Sequence, residues 1–135
     1  MTMTALLLAC MTACMLAAHA GAAPLEAPPD ARSAYQLALK VRNGEGVPAD
    51  PVRARVLLTQ AAQGGVAPAM FVLSNMLAAG EGGPLDANEA RRWLEMAGDL
   101  EYPEALQQLA MTEPDPRKAE LLMRQAAHAM MHRER

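Results

Sequence analysis

The chain has almost no aromatic side chains: Phe, Trp and Tyr make up 3% of its 135 residues. β-branched residues are also scarce. That combination argues against a sheet, whose pleated, half-buried faces favour both types. Cysteine is nearly missing as well. Its two copies, Cys10 and Cys14, lie close to the N-terminus, so nothing downstream can form a disulfide framework. Roughly 115 residues then remain to build a modest core by packing alone. There is no excess of basic charge either: 12 Lys and Arg stand against 15 Asp and Glu, a net charge of -3. The two signs are interspersed, which excludes the basic stripe of a nucleic-acid binder and the polybasic patch that anionic lipid attracts.

Catalytic signatures are lacking too. Beyond the first 20 residues the serines are Ser33 and Ser74, and neither sits in a Gly-x-Ser-x-Gly elbow. No glycine-rich phosphate loop precedes a helix. The Gly44-Glu45-Gly46 and Gly80-Glu81-Gly82 turns follow helical segments, so no helix N-terminus points from them at a phosphate. Glu45 and Glu81 recur one unit apart, and a carboxylate pair can serve acid–base chemistry. As turn residues, however, they are expected to be solvated. The chain is therefore expected not to be an enzyme and to need no cofactor.

What is present divides into two parts. Residues 1–23 contain no Lys, Arg, Asp or Glu. An apolar run over 5–18 ends in Ala18-His19-Ala20 before Gly21, the small-residue pattern of a signal-peptidase site. This predicts a signal peptide over 1–20, a Pro/Ala-rich linker over 21–30, and a periplasmic or secreted protein. The N-terminal Met1-Thr2-Met3-Thr4 lacks the usual basic residue. Leu7-Leu8-Ala9-Cys10 resembles a bacterial lipobox, with a poorer version before Cys14. The uncharged run is also just long enough to span a bilayer if uncut. A lipoprotein or an N-terminal anchor are the alternatives.

The rest of the chain is rich in alanine, leucine and methionine, all strong helix formers, and it repeats. Gly44-Glu45-Gly46 returns as Gly80-Glu81-Gly82, Asp50 as Asp86, Ala54 as Ala90, Ala61 as Ala97 and Ala69 as Ala105, each 36 residues later. Several matches at one offset in this range mark a helical repeat. Each unit reads as helix, glycine turn, helix. Asp30 caps a first helix over 31–43, and Gly44 ends it in the left-handed C′ conformation. Asp50-Pro51 opens the second helix with a cap and an N1 proline, and Gly64-Gly65 closes it. In the next unit Gly80 ends the first helix, and Asp86 with Glu89 forms a capping box. Asp115-Pro116 starts the last helix.

The second helices share one stripe at i, i+3, i+4, i+7, i+8. It runs through Ala54, Leu57, Leu58, Ala61 and Ala62, then Ala90, Trp93, Leu94, Ala97 and Gly98, then Ala119, Leu122, Met123, Ala126 and Ala127. Its small residues let neighbouring helices approach closely. Arg53, Arg55, Arg91, Arg92 and Glu95 fall on the other, solvent-facing side.

These residues resemble the Sel-one-like repeats, relatives of the tetratricopeptide repeats. One unit supplies Leu37, Ala38, Val41, Gly44, Gly46, Asp50, Ala54, Leu57, Ala61, Ala62 and Gly65. The next supplies Ala69, Leu73, Ser74, Leu77, Gly80, Gly82, Asp86, Ala90, Trp93, Ala97 and Gly98. The units span 31–66 and 67–102. A degenerate third, 103–135, replaces the Gly-x-Gly turn by Glu113-Pro114-Asp115-Pro116 and reads as a capping repeat. The resemblance implies an all-α fold, a short right-handed α-solenoid of about three antiparallel helix pairs. It also implies an adaptor that binds a protein or peptide partner on its concave surface. By analogy that surface passes through Tyr35, Leu39, Arg42, Asn43, Phe71, Asn75, Ala79, Gln107 and Met111. Tyr35 and Phe71 are either its anchors or packing residues between helix pairs. Ser74 stands where the family places a small packing residue.

Two other readings stay open. His128 and His132 share a face at i, i+4 beside Met123, Met130 and Met131, a weak candidate for copper handling. A structural subunit of an envelope complex is the other.

Overall fold

The computed structural model describes residues 30–133. The expected signal peptide, residues 21–29 of the linker and both cysteines lie outside the described residues.

Aspartate starts three of the helices in the same way. Asp30, Asp50 and Asp86 hold extended backbones, with φ of -145°, -138° and -139°, and accept from the amides of Ser33, Arg53 and Glu89. Each thereby satisfies a donor that the first helical turn leaves free. The helices are α1 (Ala31–Asn43), α2 (Pro51–Gln63), α3 (Ala67–Ala79), α4 (Ala87–Asp99), α5 (Pro103–Thr112) and α6 (Pro116–Arg133). Among the described residues there is no strand. Gly44 and Gly80 end α1 and α3 at φ of 74° and 68°.

The capping box at α4 forms only one of its two arms. Asp86 accepts from the Glu89 amide at 2.8 Å, but the Asp86 amide already donates to the Leu77 carbonyl at 3.1 Å. Asp50 does the same to Val41 at 2.9 Å, one repeat earlier. With that donor taken, the Glu89 carboxylate accepts instead from the Trp93 indole N–H at 3.3 Å.

Consecutive helices pack as antiparallel pairs, α1 with α2, α3 with α4 and α5 with α6. The pairs stack through α2 against α3 and α4 against α5. This is the right-handed α-solenoid that the family resemblance implies. Alanine sets its tightness: Ala34, Ala38, Ala54, Ala61, Ala69, Ala97 and Ala105 are completely buried. The bulk between them comes from Val41, Leu58, Leu73, Met76 and Leu77. Each large side chain taken from water contributes about 1.5–3 kcal/mol. At Gly98 a Cβ would stand 2.9 Å from Leu109 Cδ1, so a larger residue there would make the end of that leucine side chain shift. Ser74 is buried and donates to the Phe71 carbonyl at 2.9 Å, the role of a small packing residue.

The Gly-x-Gly turn is also a joint between units. A Cβ at Gly82 would overlap the Pro51 carbonyl, and the Arg55 guanidinium donates to the Pro84 carbonyl at 2.9 Å. Arg55, expected to face solvent, therefore reaches across to the next repeat. The stripe on α6 behaves differently from its counterparts. Ala126 is buried, but Met123 and Ala127 are exposed, where Leu94 and Gly98 are covered by α5.

Candidate functional site

The turns bring three of the chain's four aromatic residues to one place. Phe71 on α3 meets Tyr102, the residue before α5, with ring centroids 5.5 Å apart and planes at 52°. Tyr35 on α1 occupies the position one repeat before Phe71. All three are half-buried against the core. Pro103 fixes the first turn of α5, and Tyr102 takes the extended conformation that precedes a proline. The ring is thereby turned back onto Phe71.

A carboxylate and a guanidinium complete the cluster. Glu104, in the first turn of α5, accepts from Arg133 at 2.6 Å, and the Arg133 guanidinium lies 5.7 Å from the Tyr102 ring centroid. The other carboxylate oxygen of Glu104, Oε2, is buried and no well-formed hydrogen bond reaches it among the described residues, though the Tyr102 hydroxyl lies near enough to the carboxylate to interact weakly with it. Burial, and secondly the Glu104 charge, pushes the Tyr35 hydroxyl above the usual tyrosine range. Tyr102 is raised by burial first, then by Glu104 and Tyr35, against the opposing charge of Arg133. A residue of the first pair is thus within electrostatic reach of two at the start of the third.

The remaining candidates on this face are spread out. Arg42 is committed to Glu81 through two parallel bonds of 2.8 Å, from Nε to Oε1 and from one terminal nitrogen to Oε2. This pair raises Arg42 and lowers Glu81 by direct hydrogen bonding. Glu81 is therefore a tie between repeats, not a free turn carboxylate. Asn43 donates to Glu45 at 2.9 Å. Asn75 accepts from Gln108 at 3.1 Å, tying α3 to α5. Gln107 turns to the Met130 sulfur at 3.9 Å, inside the α5–α6 pair. Leu39 is half-buried, and Ala79 and Met111 are exposed away from the cluster. Of the expected column, the structure gathers Tyr35 and Phe71.

Tyr102, Glu104 and Arg133 were missed by the sequence reading, because helical register cannot place a loop residue or a partner 29 positions away. The rarity of aromatics was the available signal, since Tyr102 is one of only four.

His128 and His132 stand beside this cluster, their Nε2 atoms 3.1 Å apart. They line a groove of about 410 Å³ with Tyr102, Pro103 and Arg133. Among the described residues no group of three or more His, Cys, Asp or Glu is placed to hold a metal.

Comparison with known proteins bears on the fold as a whole. A family model described as the Sel1 repeat matches residues 31–66, 67–102 and 104–129. The chain belongs to the Sel1 repeat family. Its Sel1 repeats superpose on the crystal structure of a Sel1 repeat protein from Oxalobacter formigenes with a TM-score of 0.67 at 25% identity, over 71% of this chain and 41% of that one. They superpose equally well, at 0.67 and 27% identity, on a protective antigen of uropathogenic Escherichia coli strains that displays an SLR fold. That match covers 73% of this chain and 22% of the antigen. The chain thus spans less than half the length of either solved relative. No curated protein matches it. Sel1 repeats generally serve as protein-interaction scaffolds without chemistry of their own.

Proposed function

We propose that this chain is an exported interaction module whose inner face holds an extended peptide segment of a protein partner. The observation that carries this reading is the convergence of Tyr35, Phe71 and Tyr102 around the buried Glu104 Oε2, which no well-formed hydrogen bond reaches although the Tyr102 hydroxyl lies near the carboxylate. Aromatic rings supply much of the affinity at interfaces because they bury large area with few torsions to freeze. A buried acceptor without a partner costs stability until a donor meets it, and a peptide N–H or a lysine ammonium is such a donor. The ends of Arg42, Asn75 and Gln107 are already paired, so they shape the walls and contribute less to capture. Export is supported by the signal-like pattern over 1–20, with a lipid on Cys10 or a retained anchor as alternatives.

The test is selection of random peptides on the protein, followed by affinity measurement on variants. Phe71→Ala and Tyr102→Ala should each weaken the selected peptides at least tenfold while the helical signal in circular dichroism is kept. Glu104→Gln, which disturbs packing least, should change which peptides are selected. Equal affinities for the native chain and all three variants would move the binding surface elsewhere.

A structural role in a larger assembly has its own support. The exposed Met123 and Ala127 of α6 occupy the positions that α2 and α4 use to seat the next helix.

A further inference from the structure

We infer that His128 and His132 form a preset chelate for a divalent transition-metal ion. Two imidazole nitrogens bound to one ion at about 2.05 Å lie about 2.9 Å apart at a right angle and about 3.3 Å apart at the tetrahedral angle. The observed Nε2–Nε2 separation, 3.1 Å, falls between the two. One helical turn sets this spacing, the i, i+4 arrangement by which helices present paired histidines to zinc. The one hydrogen bond these ring nitrogens make among the described residues is to each other, so an ion would take the place of the shared proton.

The surroundings suit a cation. The groove that the two rings line also holds Glu101, whose carboxylate makes no hydrogen bond or ion pair with the described residues. Among the described residues Glu101 is the one non-glycine residue with positive φ, at 57°, in the place where the preceding repeat has Gly65 at 84°. A carboxylate is thus kept at a backbone position that costs stability, in the groove that the two imidazoles line. The adjacent cation, Arg133, is neutralised by Glu104 at 2.6 Å. Nitrogen donors with carboxylate and water select Zn2+, Ni2+ or Cu2+, whereas Cu+ prefers sulfur. The Met130 sulfur is turned toward Gln107. The ion would be held by the two histidines and water; no third side chain is placed to ligate it among the described residues, and the Glu101 carboxylate in the same groove contributes only its negative charge. Bridging the last turn of α6 would also hold helical the segment from which Arg133 reaches Glu104 and Tyr102.

The experiment is calorimetric titration of the untagged full chain with ZnCl2, NiCl2 and CuCl2. Amide exchange of residues 128–133 would be followed with and without Zn2+. The expected result is one ion per chain, affinity lowered at least tenfold in His128→Ala and in His132→Ala, and slower exchange in the last turn only in the native chain. Both histidines are exposed, so the variants should fold, which thermal melting in chelator checks. Binding of equal strength in both variants, or no binding of any of the three ions at millimolar concentration, would overturn the inference.

Discussion

At the scale of single residues, the repeat's internal symmetry exposes where the sequence departs from what the backbone prefers. Gly65 and Glu101 stand in the same place and both adopt the left-handed region, yet only glycine does so without its Cβ crowding the carbonyl. Glu101 must therefore cost the fold about 1 kcal/mol relative to glycine. Glu101→Gly should raise stability by about that amount, read as a higher urea midpoint with an unchanged slope. If the carboxylate serves the metal, the same change should weaken Zn2+ binding, so stability and ion affinity move in opposite directions. A variant that is less stable than the native chain would show that the Glu101 side chain makes a stabilising contact.

Among the elements, the helices were legible because what starts and stops them is local. The caps at Asp30, Asp50 and Asp86, the N1 proline of α2 and the left-handed glycines after α1 and α3 all lie within a few residues of what they control. The spacing of buried alanines was legible for the same reason. The second arm of the capping box was not, since it depends on whether a carbonyl nine residues upstream has already taken the Asp86 amide. Of the aromatic cluster, Tyr35 and Phe71 were legible, because they repeat in register. Tyr102, Glu104 and Arg133 join them through tertiary contacts that no local period encodes. What lies beyond an element can be probed in the same terms. Ala62 on α2 is 1% exposed, whereas Ala127, the same position in the last unit, is open to solvent. Ala62→Leu should overpack the α2–α3 contact and cost about 1–3 kcal/mol. Ala127→Leu should fall within about 0.5 kcal/mol of neutral. Thermal melts over a range of protein concentrations check this. A large, concentration-dependent loss at Ala127 would mean that another molecule covers α6.

In the whole molecule, stability resides in a line of joints between neighbouring repeats, because a solenoid has few contacts beyond nearest units. Gly82 against Pro51, Arg55 on the Pro84 carbonyl and the two hydrogen bonds from Arg42 to Glu81 all join the first unit to the second. The ion pair is the joint that pH can open. Hydrogen bonds from Arg42 hold the Glu81 carboxyl below its ordinary value. A carboxylate lowered in the fold stabilises it above the unfolded-state value, near 4.3, and that contribution fades as pH falls through the lower folded value. Both side chains are one-third exposed, so solvent limits the gain to roughly 0.5–1 kcal/mol. Arg42→Met keeps the aliphatic stem and removes the charge. Urea unfolding should show this variant less stable by that amount at pH 7. The gap should narrow as pH falls below the unfolded-state value and close once the native carboxyl is itself protonated, because the native chain has then lost the pair too. A gap that stayed constant down to pH 2 would assign the role of Arg42 to packing of its stem, and the joint between the first two repeats would then be apolar.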